Sequence, residues 1–323
     1  MKAVLVGLGQ AGFKWFKRLQ QEPVIVAAVV ERNESMKQKL EGTEVPFYTS
    51  LEAALEEHRP DFLVNVTSPM AHTVVNRAAF ERGIPVLCEK PISFDYEESI
   101  EIVKLASALN IPFMIAENYR CQPSVRKLKQ LIDAGAIGQI SHIEVLFSRY
   151  HRQPGRQYPV HLLNDIGIHH FDMIRYLTGV EARAVRAELY QAAGGWNEEG
   201  AVTNAHVFME LERDIRVHYS GSLTSRSTPT TWRGMWRIEG TEGSLELGGS
   251  EVILVCREGT TKRLDNDGDI SAPDTLTEFL AALGEGREPE SSGRDYMKSQ
   301  AMVHYANESG RTGQKERILL PLL

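Results

Sequence analysis

The chain has 323 residues, of which 42% are hydrophobic and 24% are charged, and its formal net charge is −7 at pH 7. This composition excludes a disordered or fibrous protein, and the length is sufficient for two globular cores. The acidic balance gives no reason to expect a nucleic-acid partner, and no apolar run is long enough to cross a membrane. The short apolar N-terminus does not fit a signal peptide, and the three cysteines have no metal or redox spacing, so we expect a cytoplasmic protein.

Strand-like and helix-like segments alternate in the first part of the chain. Short apolar runs at 3–6, 24–30, 62–66, 86–88 and 113–116 alternate with helical patterns at 11–21, 51–58, 70–82 and 96–109. Alternation of this kind predicts βαβ units and a parallel sheet. We therefore expect an α/β, Rossmann-type dinucleotide-binding domain over residues 1–120.

The pattern changes in the second part, where strands dominate. Helical patterns at 124–134 and 162–177 flank a strand-like run at 140–150, and further strand-like runs follow at 182–190, 205–211, 215–222, 232–239 and 244–247. Helical patterns at 274–283 and 294–309 close the chain. We predict an α+β domain over residues 121–323 with a mostly antiparallel open sheet, used for substrate binding and oligomerisation.

A glycine motif follows the first predicted strand and opens the first predicted helix. It is a G-x-G-x-x-G formed by Gly7, Leu8, Gly9, Gln10, Ala11 and Gly12. In this context the motif predicts a dinucleotide site, with the pyrophosphate at the helix N-terminus. The alternative is a tight strand–helix turn without a ligand.

Two residues at the end of the second predicted strand bear on the choice of cofactor. Glu31 stands where this fold places the acid that binds the ribose hydroxyls, which favours NAD. Arg32 follows it directly, and its guanidinium offers a partner for the extra phosphate of NADP. We expect NAD, with NADP as the alternative.

Several motifs carry a resemblance to a known family. Cys88-Glu89-Lys90-Pro91, together with the glycine motif, resembles the Gfo/Idh/MocA oxidoreductases, which include glucose–fructose oxidoreductase and inositol dehydrogenases. The similarity extends to Thr67-Ser68-Pro69 with His72, to Asn118-Tyr119-Arg120, to residues 164–172 and to the turn at residues 240–245. The resemblance implies that Thr67, Ser68, His72, Glu89, Lys90 and Asn118 contact the cofactor, and that Tyr119 contacts the substrate.

Three residues are candidates for the chemistry. Lys90 follows a predicted parallel strand, at the edge of the sheet where ligands bind, and is suited to exchange a proton with a substrate hydroxyl. Asp165 and His169 are four residues apart, so a helix places them on one face. The resemblance implies that His169 contacts the reacting hydroxyl and Asp165 a neighbouring one. The structural alternatives are a solvated Lys90 and a core His169 paired with Asp165; His170 and Asp172 are expected to be structural.

A basic loop precedes the helix that carries Asp165. It contains Arg149, His151, Arg152 and Arg156, and it either binds an anionic group of a substrate or forms a solvated rim; Arg149 and His151 are our candidates for substrate contact. Residues 161–164 replace the glycine-rich run that is common in the family, which leaves the pocket shape open. The histidine spacings match no standard zinc signature, so we expect no metal.

Together these features predict an NAD(P)-dependent oxidoreductase. Hydride would pass between the nicotinamide and a secondary alcohol of a sugar, polyol or cyclitol. The alternatives are an NAD-using glycosidase or epimerase on the same scaffold, which would retain its cofactor without net change in absorbance, and a non-catalytic dinucleotide or sugar sensor. The resemblance implies a homodimer or homotetramer.

Overall fold

The computed structural model describes residues 1–152, 158–193, 195–196, 198–249, 259–264 and 272–323, together with the backbone of 251–256. Within them the chain divides into two compact units. The first contains Met1–Glu117, Pro273–Met297 and Pro321–Leu323, and the second contains Asn118–Ala272 and Lys298–Leu320.

The secondary structure comprises short parallel strands first and longer strands later. The strands are β1 (Lys2–Val6), β2 (Ile25–Val30), β3 (Phe47–Tyr48), β4 (Phe62–Asn65), β5 (Val86–Cys88), β6 (Phe113–Ile115), β7 (Ile140–Ser148), β8 (Ala182–Tyr190), β9 (Asn204–Leu211), β10 (Arg216–Ser222), β11 (Met235–Gly240), β12 (Gly243–Gly248), β13 (Glu251–Cys256), β14 (Thr261–Leu264) and β15 (Glu316–Arg317). The α-helices are α1 (Gln10–Leu19), α2 (Leu51–His58), α3 (His72–Phe80), α4 (Tyr96–Ala108), α5 (Pro123–Asp133), α6 (Ile168–Thr178), α7 (Thr275–Glu285) and α8 (Gly293–Thr312). Short 3₁₀ turns cover Glu34–Leu40, Pro69–Ala71 and Glu212–Asp214, and a π-helical turn covers Leu163–Gly167.

The first unit contains a six-stranded sheet in the order β3-β2-β1-β4-β5-β6. All neighbouring strands pair in parallel, as expected for βαβ units. The strand order reverses direction between β1 and β4, and a sheet of this kind binds ligands at the carboxyl ends of its strands at such a point. The turns after β1, β2, β4 and β5 therefore lie along one edge.

The core of the first unit includes a helix that is distant in the sequence. Leu276 and Phe279 of α7 are fully buried in the same cluster as Phe62 of β4, and the two phenylalanine rings meet edge to face at 5.7 Å. Arg18 of α1 holds Asp274, the residue that caps α7, at 2.5 Å. The sequence placed all of residues 121–323 in the second domain, whereas residues 273–297 and 321–323 belong to the first compact unit. The reason is that α7 buries its apolar face there.

The second unit contains a nine-stranded sheet in the order β14-β13-β12-β11-β7-β10-β9-β8-β15. This sheet is mixed: β7 and β10 run parallel, and the other neighbouring pairs run antiparallel. The expectation of a mostly antiparallel sheet therefore holds in part, since the central β7–β10 pair departs from it. Strands β13, β14 and β15 were not predicted.

One face of this sheet is covered and the other is open. Helix α6 is buried along almost its whole length, and Phe171 meets Tyr219 of β10 edge to face at 5.4 Å. On the opposite face Leu146, Phe208 and Met235 are 44%, 57% and 49% exposed. No helix in the described ranges is long and apolar enough to cross a membrane.

Candidate active site

The three glycines of the first turn meet different surroundings. A Cβ on Gly7, whose φ is +97°, would lie 2.5 Å from the Val66 carbonyl oxygen, and one on Gly12 would lie 2.1 Å from the Gly7 carbonyl oxygen. A Cβ on Gly9 would have nothing within 4 Å. Packing within the chain therefore requires glycine at positions 7 and 12 but not at position 9, where space is left for a ligand.

The N-terminus of α1 adjoins this open space. The helix begins after Gly9 without a capping side chain and without an acidic residue in its first turn, and Gln10 and Ala11 are exposed. Uncapped amide groups and the positive end of the helix dipole favour phosphate groups. The turn therefore fits the pyrophosphate of a dinucleotide.

Glu31 is held at the end of β2 by two backbone amides. Its Oε2 accepts a hydrogen bond from Leu8 N at 2.8 Å, and its Oε1 accepts one from Asn33 N at 2.9 Å. A carboxylate has about four acceptor positions, so both oxygens retain capacity for ribose hydroxyls. Arg32 is exposed, and it forms no hydrogen bond or ion pair with any described residue.

A lysine outside the sequence motifs also reaches this turn. The Lys39 Nζ donates to the Leu8 carbonyl oxygen at 2.8 Å and lies 3.4 Å from that of Gly9. The same Nζ lies 5.8 Å from the centre of the Phe13 ring. No motif marks this residue, because its contact depends on how the segment after β2 folds back.

The turn after β4 is organised by a buried asparagine. The Asn65 Oδ1 accepts hydrogen bonds from the Thr67 amide at 3.2 Å and the Thr67 hydroxyl at 2.7 Å. The Asn65 Nδ2 donates to the Asn76 Oδ1 at 2.8 Å. Thr67 is half-buried and Ser68 is exposed at the start of the following 3₁₀ turn, so both stand at the ligand-binding edge.

His72 joins this turn to the one after β5. Its Nδ1 lies 2.7 Å from the Pro91 carbonyl oxygen and its Nε2 lies 3.1 Å from that of Thr67. The side chain is only 1% exposed, and burial lowers the pKa of His72. Both ring nitrogens of His72 face backbone carbonyl oxygens, so the side chain links the two turns, and the predicted cofactor contact stays a prediction.

The turn after β5 carries Glu89 and Lys90. The Glu89 Oε1 accepts a hydrogen bond from Trp15 Nε1 of α1 at 2.7 Å, and Glu89 Oε2 accepts one from the Lys90 amide at 3.3 Å. Lys90 is half-buried and is followed by a cis bond to Pro91. Cys88 is fully buried, which raises the pKa of its thiol.

The second unit brings Tyr119 and His169 together. Their rings are stacked with centroids 4.3 Å apart and an angle of 10° between the planes. Asp165 lies in the π-helical turn that precedes α6, and its Oδ2 accepts a hydrogen bond from the His161 amide at 3.0 Å. Asp165 therefore fixes the start of this helical segment, one turn before His169. Asn118 is exposed beside Tyr119.

Two neighbours of His169 in the sequence, His170 and Asp172, make buried polar contacts within the second unit. Asp172 is fully buried and accepts two hydrogen bonds from Arg120, at 2.5 and 2.6 Å, and one from Ser299 at 2.7 Å. His170 lies between the Tyr219 hydroxyl, at 3.2 Å, and the Trp232 carbonyl oxygen, at 2.9 Å.

Trp232, which lies outside the sequence motifs, links the basic stretch to this cluster. The Arg149 guanidinium lies 4.6 Å from the centre of the Trp232 ring, and the His151 ring meets it edge to face at 4.8 Å. The Trp232 carbonyl oxygen accepts a hydrogen bond from the Tyr119 hydroxyl at 3.2 Å. Arg156 lies outside the described residues. In the described part of the chain no three His, Cys, Asp or Glu residues form a metal-binding group.

Two domain profiles of one family match this chain. The profile described as an oxidoreductase family with an NAD-binding Rossmann fold matches residues 1–117, and the profile of the GFO/IDH/MocA C-terminal domain matches residues 125–246. Together they cover well over half of the sequence. The chain belongs to the GFO/IDH/MocA family, and it is an NAD-binding oxidoreductase.

Two curated relatives of this chain are dehydrogenases. D-apiose dehydrogenase of Paraburkholderia graminis is 25% identical over 83% of this chain and 75% of its own length. Inositol 2-dehydrogenase of Corynebacterium glutamicum strain R is 28% identical over 67% of this chain and 65% of its own length.

Solved structures show the same fold. An oxidoreductase from Agrobacterium radiobacter, crystallised with NAD⁺, L-tartaric acid and magnesium, superposes with a TM-score of 0.89 at 20% identity and covers 98% of both chains. An aldose–aldose oxidoreductase from Caulobacter crescentus, complexed with glycerol, gives 0.86 at 18% identity and covers 98% of this chain and 99% of its own.

Proposed function

We propose that this protein is a dehydrogenase of a sugar, polyol or cyclitol that uses NAD. The main support for this proposal is Gly9. Packing within the chain does not require a glycine at this position, and the absence of a side chain leaves the start of α1 open. The ordered carboxylate of Glu31 supports NAD, because it offers acceptors to ribose hydroxyls and repels a 2′-phosphate. The names of the relatives support a substrate with several hydroxyl groups.

The nicotinamide, when bound, supplies the hydride acceptor or donor. Lys90 is proposed as the group that exchanges the hydroxyl proton. It directly follows β5 at the ligand-binding edge, and its neighbour Glu89 is fixed by Trp15. We assign Thr67, Ser68, Glu89 and Asn118 to cofactor contact, and His72 to positioning the turns that carry them.

Hydroxyl recognition is proposed for residues of the second unit. Asp165 and His169 would bind two hydroxyls of the substrate, with His169 held in orientation by its stack on Tyr119. Arg149 and His151 both contact the Trp232 ring, and they would bind an anionic or strongly polar substituent of a substrate.

Assembly and compartment are further proposals. The open face of the nine-stranded sheet exposes Phe208 stacked on His218 at 4.7 Å, beside Leu146 and Met235. Exposed apolar side chains of this size support burial against a second copy, in a homodimer or homotetramer. Cys88 is a buried free thiol, which supports a reducing, cytoplasmic compartment.

Replacing Lys90 with methionine tests the proposed proton exchange. We expect NAD⁺ binding to persist while turnover on a reactive sugar or polyol falls by about 10²–10⁴-fold, the usual contribution of a general acid–base group. Turnover is followed at the nicotinamide absorbance, and NAD⁺ affinity is measured by calorimetry.

Lys104→Met is the matched control, because Lys104 is an exposed residue of α4. It should leave both quantities unchanged. Normal turnover in Lys90→Met with bound cofactor would remove Lys90 from the chemistry.

A further inference from the structure

We propose that the substrate carries a carboxylate or phosphate group, and that Arg233 binds this group in a cavity of the second unit. This assignment rests on the proposed function, and it narrows the substrate from a compound with several hydroxyl groups to one that also carries an anionic group. Arg233 lies outside the sequence motifs.

The cavity lies within the second unit and has a volume of about 460 Å³. Two segments line it, namely residues 122–124 at the start of α5 and residues 231–233 just before β11. A volume of this size is within the range of pockets that bind small molecules. None of the six described residues that line the cavity is acidic, and the first turn of α5 contains no acidic residue. The charge of Arg233 therefore has no counterpart in the described lining.

The hydrogen-bond partners of Arg233 are neutral groups. Its Nη1 donates to the Ser124 hydroxyl and its Nη2 donates to the Gly249 carbonyl oxygen, and it forms no ion pair with any described residue. The side chain is half-buried, and burial lowers the pKa of Arg233. A guanidinium stays charged in proteins, and burial of a charge is costly unless an opposite charge compensates it. An anionic ligand in the cavity would supply this compensation.

Two other arginines of the second unit show how this part of the chain treats a buried charge. Arg120 pairs with Asp172 at 2.5 Å, and Arg175 pairs with Glu181 at 2.7 Å. Each of these guanidinium groups has a carboxylate partner within the chain. Arg233 differs from them because its described contacts are a hydroxyl and a carbonyl oxygen.

The cavity wall is joined to the residues proposed for hydroxyl recognition. The Trp232 carbonyl oxygen accepts a hydrogen bond from the Tyr119 hydroxyl at 3.2 Å, and the Tyr119 ring stacks on that of His169 at 4.3 Å. The Arg149 guanidinium lies 4.6 Å from the centre of the Trp232 ring, so a second positive charge stands beside this wall. The anionic group at Arg233 and the hydroxyls at His169 thus belong to one substrate.

The test compares three pyranoses that differ only at C6, namely D-glucose, D-glucuronate and D-glucose 6-phosphate. Calorimetry measures their binding with saturating NADH, so that no hydroxyl is oxidised during the titration. The wild-type chain is compared with three variants. Arg233→Gln removes the charge but keeps an amide donor, and Arg233→Lys keeps the charge. Arg311→Gln is the matched control, because the Arg311 side chain is 70% exposed on α8.

We expect the wild type to bind D-glucuronate or D-glucose 6-phosphate at least about tenfold more tightly than D-glucose, and the tighter of the two identifies the anionic group. Arg233→Gln should weaken binding of that compound by about tenfold or more, the size of a hydrogen bond to a charged group, and binding of D-glucose by less than about threefold. Arg233→Lys should retain part of the affinity, because the charge remains without the guanidinium fork. Arg311→Gln should match the wild type.

Two results would overturn the proposal while the proposed function stands. One is wild-type binding of D-glucose that is as tight as that of both charged sugars, or no binding of either charged sugar. The other is an equal loss for D-glucose and the charged sugars in Arg233→Gln, because Arg233 would then only hold the cavity wall through Ser124 and Gly249. If the wild type does not bind NADH, the proposed function itself fails. Unfolding temperatures of the variants show whether each remains folded.

Discussion

At the residue scale, the glycines of the turn at Gly7–Gly12 differ in what they are needed for. Packing of the chain requires glycine at position 12, whereas glycine at position 9 leaves space for a ligand. Gly12 lets α1 pack on the Gly7 carbonyl, where any side chain would collide with backbone. Gly9 faces open space, so its lack of a side chain is unnecessary for the folded chain alone. The same motif thus contains one glycine whose effect is on stability and one whose effect is on binding.

Alanine at these two positions should therefore have opposite consequences. Gly9→Ala should change the free energy of unfolding by at most about 1 kcal/mol, since alanine is only a somewhat poorer residue before a helix, yet it should weaken NAD⁺ binding. Gly12→Ala should destabilise by about 1–3 kcal/mol, because the added methyl group overpacks a buried contact. Urea unfolding and calorimetric titration measure the two effects. If the Gly9→Ala variant folds and binds NAD⁺ with unaltered affinity, the space at Gly9 is not used by the cofactor.

Site residues that directly follow a predicted strand could be predicted from the sequence. Site residues whose side chains arrive from another helix or turn could not. The glycine motif and Glu31 follow directly on predicted strands, so their position in the sheet is determined by the pattern itself. Trp15 and Lys39 reach the site through long side chains that cross from a neighbouring helix or turn. A periodic pattern places a backbone but does not determine where such a side chain ends.

At the element scale, helix α6 is held to its neighbours by buried charges. Arg120 and Asp172 form a two-point ion pair that is almost fully buried, and Ser299 of α8 donates a further hydrogen bond to Asp172. The pair joins α6 to the segment that carries Tyr119. It therefore supports the stack between Tyr119 and His169.

Removal of one member of this pair should be costly. We expect Asp172→Ala to lower the free energy of unfolding by about 3–5 kcal/mol, because Arg120 would keep a buried charge without a partner. The comparison variant is Asp133→Ala, which breaks the exposed Lys129–Asp133 pair on α5 and should cost at most about 1 kcal/mol. Urea unfolding followed by circular dichroism measures both, and similar small losses would contradict the assigned role of Asp172.

The order of most elements could be predicted, whereas their partners could not. The alternation of residues 3–116 indicates a parallel sheet, and the structure has one. The parallel pairing of β7 with β10 has no local signal, because hydrophobic alternation is the same in either direction. The burial of α7 in the first core likewise depends on a contact with Phe62, more than two hundred residues away.

At the scale of the whole molecule, the two units carry different kinds of groups. The glycine turn, Glu31, Lys39 and Lys90 belong to the first unit, and Tyr119, Asp165 and His169 belong to the second. The change in sequence pattern near residue 120 indicates this division. The return of residues 273–297 to the first unit had no such signal, because a helical pattern does not show which core receives its apolar face.

Calorimetric titration of the purified chain with NAD⁺ measures whether the first unit binds the cofactor, after any nucleotide carried through purification has been removed. Binding at a single site is predicted, with a dissociation constant on the order of 1 μM to 1 mM, which is the range that Michaelis constants of enzymes usually span. Absence of binding by a folded protein that carried no nucleotide would contradict the account, because the open space at Gly9 would then have no ligand.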